Sequence, residues 1–236
     1  MGARLLCVAV VLAAAGCEQK GDALTERTGA RAGSDRSASE LAKYAARLAA
    51  LHAATPADAD ERVCPDEELA ARFDGGVGRL AIAEHAFLAR FAGDATDPYA
   101  GDGARYKTLT TASLRVIRPP ASITSSAQAT DALWNAQKLE REYSHIAVLR
   151  SRERAGPNMK GDELVSGKLS GVLVVFEIGK STPLCVARVE AASSDGVAGV
   201  EGKAREDAIW NDFVGNVRSS LAAGVKRITK RLDVDI

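Results

Sequence analysis

LSGVLVVFEI (169–178) and LCVARVEA (184–191), joined across Gly179-Lys180-Ser181-Thr182, read as two β-strands and a turn. Both runs are short and lack a sustained 3.6-residue period, and the first is rich in β-branched residues. The connection is of hairpin size and opens on a glycine. Upstream, Ser144 to Leu149 is a nearly continuous apolar run, as expected of a buried strand. Downstream, Ile209, Trp210, Phe213, Val214, Val217, Leu221, Val225 and Ile228 fall on one stripe of a helix over about 203–228. Lys226, Arg227 and Lys230 stand near its negative end.

The N-terminal third reads as helical. Ser37 and Glu40 match a capping box, Leu41, Tyr44, Leu48 and Leu51 follow at helical spacing, and Pro56 bars continuation. A first helix over 38–54 is expected. Pro65 with Asp66, Glu67 and Glu68 suits a second helix start, closing at Asp74-Gly75-Gly76. A third amphipathic stretch, 78–92, contains Leu80, Ile82, Phe87, Leu88 and Phe91. Residues 93–103 read as loop, 106–118 as a strand ended by Pro119 and Pro120, and 126–141 as a helix with Leu133, Trp134 and Leu139. The expected fold class is therefore α+β. It has a helical N-terminal third, a small antiparallel sheet with a C-terminal hairpin, and a long C-terminal amphipathic helix packed on the sheet, with helices on one face.

Local motifs for catalysis do not hold their context. Gly76-Val-Gly78-Arg-Leu-Ala81 has the spacing of a dinucleotide fingerprint, but Ala70 to Asp74 before it reads as a helix end, where a strand is required. A glycine-rich turn between helices is the plainer reading. His85 after Glu84 has no second histidine at helical spacing, so the zinc-protease pattern is absent, and neither Cys64 nor Cys185 has a partner at ligand spacing. Ser170 begins a strand where a nucleophile elbow would end one, and no Ser-x-x-Lys occurs. No metal centre, tightly bound cofactor or locally encoded catalytic residue is expected. Arg150 to Arg154 reads as a solvated loop, with a partner-binding loop as the sharper alternative.

The first residues bear on compartment. Arg4, the apolar run Leu5 to Ala15, and Ala15-Gly16-Cys17 have the layout of a secretory signal: a charged start, an apolar middle and small residues at the cut. Leu12-Ala13-Ala14-Ala15-Gly16-Cys17 resembles the lipobox of bacterial lipoproteins. That resemblance implies removal of 1–16 and a diacylglycerol on the thiol of Cys17. Glu18 in place of Asp implies the outer membrane. A plain secretory peptide cut after Ala15, leaving Cys17 unmodified, is the alternative. Residues 18–36 are polar and lack apolar period, so they form a tether reaching roughly 25 Å on average. Residues 37–236 then form a single α+β domain.

With 31 Lys and Arg against 31 Asp and Glu, the chain has no electrostatic footprint for nucleic acid. After processing as the lipobox implies, Cys64 and Cys185 are the thiols left. An oxidising envelope pairs them as one disulfide tying the second helix to the hairpin, which requires Cα atoms within about 7 Å. Two separate buried thiols are the alternative. The functional expectation is a lipid-anchored cell-envelope protein acting by binding or interaction, with the membrane through Cys17 and an envelope protein as its partners. An envelope hydrolase assembled from distant residues, with His85 and His145 its members, is the alternative, and a subunit of an envelope assembly is a third.

Overall fold

The computed structural model describes residues 36–65, 78–94, 96–98, 100, 103–161, 163–194, 202–229 and 232–235. Helix α1 spans residues 36–54. Strand β1 (Gly78–Glu84) runs directly into helix α2 (His85–Ala89). Helix α3 (Gly103–Tyr106), a 3-10 turn (Lys107–Leu109) and helix α4 (Ala112–Arg115) lead through Pro119 and Pro120 to helix α5 (Ser126–Glu142). Strand β2 (His145–Ala155), the small hairpin β3 (Asn158–Lys160) and β4 (Glu163–Val165), β5 (Lys168–Glu177) and β6 (Pro183–Ala192) follow. Helix α6 (Gly202–Ile228) and strand β7 (Leu232–Asp235) end the chain.

The fold is α+β, but its sheet is mixed. The strand order is β6-β5-β2-β1-β7, with β1 parallel to both β2 and β7, and β5 antiparallel to both β2 and β6. The expected hairpin is the β5–β6 pair, in register at Val175↔Cys185, with Gly179 in its turn at φ +87°. The expected helix over 203–228 is α6. Its stripe packs on one face of the sheet with Leu80, Ile82, Ala147, Leu149, Leu173 and Val175. Contrary to expectation, the other face is covered too. There Leu48 and Leu51 of α1 and Ala136 and Leu139 of α5 pack on Ala81, Ala83, Ile146, Val148, Val174 and Phe176.

Three further expectations are corrected. The stretch 78–92 is not one helix. Leu80, Ala81, Ile82 and Ala83 are all fully buried, because a strand flanked by parallel neighbours and covered on both faces is apolar on both. Residues 106–118 are helical turns and not a strand. Tyr106, Leu109, Leu114 and Ile117 plug the core, while Thr110 and Thr111 take a strand's place beside β1. Thr111 donates its N–H to the Ile82 carbonyl (2.8 Å), and the Thr111 and Thr110 hydroxyls accept from the N–H groups of Ile82 (2.8 Å) and Glu84 (3.3 Å). Strand β7 pairs only with Gly78 to Ala81, so these bonds satisfy the half of β1 it leaves uncovered. Third, Arg150 to Arg154 is no loop but belongs to β2. Ser37 lies within α1 instead of capping it, and Glu40 pairs with Lys43 (2.7 Å). The expected second helix falls on residues outside those described.

The residues after α1 run along the free edge of β6. Arg62 and Val186 exchange both backbone hydrogen bonds (2.9 and 3.0 Å), Arg188 N–H donates to Glu61, and Cys64 N–H donates to the Ile228 carbonyl (3.0 Å). This strap occupies donors and acceptors that an open edge would present to another chain. The Cys64–Cys185 disulfide fixes it there, with Cα atoms 4.7 Å apart.

Between Ser151 and Glu153 the β2–β5 register slips by one residue, a bulge at Arg152 facing Gly171 and Ser170. A Cβ on Gly171 would collide with the Arg150 carbonyl and come within 2.9 Å of Ser151 Cα. Gly171→Ala should therefore cost about 1–3 kcal/mol, as overpacking against backbone does. Urea unfolding of the variant checks this, and an unchanged midpoint would contradict the close approach.

Candidate functional site

The bulge has a chemical consequence. Leu149, Ser151 and Arg154 face Leu173, Gly171 and Leu169 in register, so the extra residue returns Arg154 to the α6 side of the sheet. Regular alternation would have turned it to the other side. There it meets Glu84, the last residue of β1, which alternates onto the same face after Leu80 and Ile82. Arg154 Nη1 donates to Glu84 Oε1 at 3.1 Å. Glu84 is 3% exposed, and its Oε2 has no hydrogen-bond partner among the described residues. Burial pushes the Glu84 carboxyl up to about 7, with the Arg154 guanidinium pulling the other way. The chain thus holds a carboxyl poised near neutrality at the carboxyl end of a central parallel strand.

The guanidinium is held by aromatic packing. Arg154 lies over the Tyr106 ring, 3.6 Å from its centroid. Tyr106 meets Trp210 edge-on at 5.5 Å and Phe213 at 6.1 Å. On the far side Arg105 sits over Trp210 at 5.2 Å and pairs with Asp207 at 2.9 Å. Strands β1 and β2 and helices α3 and α6 therefore meet in one polar-aromatic cluster.

On the opposite face of the sheet, His85 at the start of α2 stacks on His52 of α1, with ring centroids 3.9 Å apart and planes at 26°. His85 Nε2 lies 3.1 Å from the His52 carbonyl. Burial, then His52 and Arg150, hold His85 down to about 4. Burial and Arg150 lower His52 as well, opposed by Asp94. His145 is elsewhere. It is buried at the start of β2, beside Leu80 in register, with Nδ1 2.9 Å from Ser144 Oγ. His85 follows Glu84, which pairs with Leu149. The two histidines therefore stand at opposite ends of the strands, about 16 Å apart by strand rise. The structure does not bring them into one site.

Past α2 the chain borders an open polar concavity of about 670 Å³, lined by Arg90, Lys107 and Arg115 with Asp94, Asp97 and Ser122. Both charge signs are offered there, which suits a polar ligand or surface. Among the described residues no three His, Cys, Asp or Glu side chains converge as a metal-holding group. Cys64 and Cys185 stand together as expected, with Cys64 in the strap along β6. Cys17 lies outside the described residues.

Sequence reasoning missed Glu84, Arg154 and Tyr106. One signal was available: Gly171 inside a strand pattern points to a bulge or a close backbone approach, and the bulge is what turns Arg154 inward. Comparison with protein-family models, curated proteins and solved structures returned no match.

Proposed function

We propose that this chain is a lipid-anchored cell-envelope protein whose α+β portion acts as a binding or interaction module. Cys17 would carry the lipid, residues 18–36 would tether, and Glu18 favours the outer membrane. The observation that carries this reading is the disulfide between Cys64 and Cys185. Such bonds persist in oxidising compartments, where a signal ending in Ala15-Gly16-Cys17 would deliver the chain. The polar concavity beyond α2 supports the interaction half of the reading, since it offers both charge signs at the carboxyl side of β1.

Fractionation tests the anchor. Wild type should be recovered with membranes, and Cys17→Ser should be released or accumulate unprocessed. A Cys17→Ser chain that is processed and fractionates like wild type would overturn the lipid assignment.

A further inference from the structure

Helix α1, which follows the proposed tether, is held to the body at its C-terminal end by an unusual contact: two imidazoles face to face. His52 and His85 stack at 3.9 Å, and the next turn is fastened by the Arg150 guanidinium, which donates to the Thr55 carbonyl. Stacked neutral rings pack well, but two imidazolium rings at that separation, beside a guanidinium, repel one another. We propose that the His52–His85 stack is an acid-sensitive clasp that keeps the end of α1 docked at neutral pH and lets it open when the rings take up protons.

The groups facing the pair come from every element around it. His52 belongs to α1, His85 to α2 and Arg150 to β2, while Asp94 follows α2. Arg150 disfavours the charged rings, and Asp94, the one carboxylate acting on the pair among the described residues, acts on His52 alone. His85 accepts no carboxylate support at all from these neighbours.

The sign follows from linkage. His85 sits at about 4 when docked and returns towards 6.5 when the clasp opens. Docking is therefore fully supported above about 6.5 and loses support progressively as pH falls towards 4. What opening would uncover is apolar: Leu48 and Leu51 of α1 belong to one buried cluster with Leu139 and Ile146, against which Ile178 packs. Glu84, on the other face, titrates in the same range with the opposite sign, so global stability cannot isolate the clasp.

Local hydrogen exchange can isolate it. After correction for intrinsic rates, amides of residues 48–55 should open on the order of tenfold more readily at pH 5 than at pH 7. Amides of β2 and β5 should not follow. His85→Gln and His52→Gln should each reduce this pH dependence. Equal protection at both pH values, or an undiminished acceleration in the variants, would overturn the proposal. Should neither variant fold, titration of the wild-type imidazole resonances decides. A His85 midpoint near 4 supports the clasp, and one near 6.5 overturns it.

Discussion

Replacing both Cys64 and Cys185 by serine is expected to lower stability by about 4–5 kcal/mol. The bond spans a sequence separation of 121, and closing so long a loop removes much of the entropy of the unfolded chain. Its Cα atoms, 4.7 Å apart, are within ordinary disulfide reach. Besides its backbone hydrogen bonds to Val186 and Ile228, the strap makes ion pairs that face solvent: Asp60 with Arg188 at 2.9 Å and Glu61 with Arg227 at 3.1 Å, each pair at least a third exposed. Such pairs contribute at most about 1 kcal/mol apiece, so the disulfide is the largest single restraint on the strap. The melting temperature should fall by roughly 8–20 °C, given about 2–4 °C per kcal/mol for a domain of this size. Both sulfurs are buried, so a reductant should act on the native state only through opening. Calorimetry of wild type and the double variant checks the magnitude. A shift under about 3 °C would mean that the strap holds without its bond.

Arg154→Ala carries the second large effect, and it depends on pH. Glu84 is raised from 4.5 to about 7 by burial. Its protonated form is accommodated below about 4.5, and that stability is lost as pH rises through 7. At pH 8 the ionised carboxylate relies on Arg154, and removing the guanidinium strands a buried charge at a cost of about 3 kcal/mol. At pH 5 Glu84 keeps its proton, and the loss should shrink to about 1 kcal/mol from the stacking on Tyr106. Adding Glu84→Gln to Arg154→Ala should recover most of the pH 8 loss. Urea unfolding of the three chains at both pH values tests this, and a penalty independent of pH would show that Glu84 does not titrate against Arg154.

The C-terminal half was legible because its patterns are local. The hairpin is written in β-branched runs around a glycine turn, and α6 in eight apolar residues on one stripe. Beyond the first helix, expected over 38–54 and found over 36–54, the N-terminal half was not legible, because tertiary burial overrode composition. GRLAIAE (78–84) has alanines that suit a helix, yet parallel neighbours on both sides make it an interior strand of the sheet. No local signal distinguishes parallel from antiparallel pairing, so the mixed topology and the second helical layer were beyond reach. Thr110 and Thr111 gave strand-like composition to a segment that only borrows a strand's hydrogen bonds. The candidate site was hidden for a related reason. Arg154 stands in a charged string that alternation alone would turn away from Glu84, and only the register slip at Arg152 reverses it. The cysteine pair could be read because the resemblance at Cys17 left two thiols to join.

The intact mass of the full chain, recovered from envelopes without reductant and compared before and after reduction, tests the anchored, oxidised reading most directly. The account predicts a polypeptide beginning at Cys17 with a lipid adduct on that residue, together with the mass deficit of one disulfide that reduction abolishes. A chain that begins at Gly16 or earlier, carries no lipid and gains no mass on reduction would contradict it.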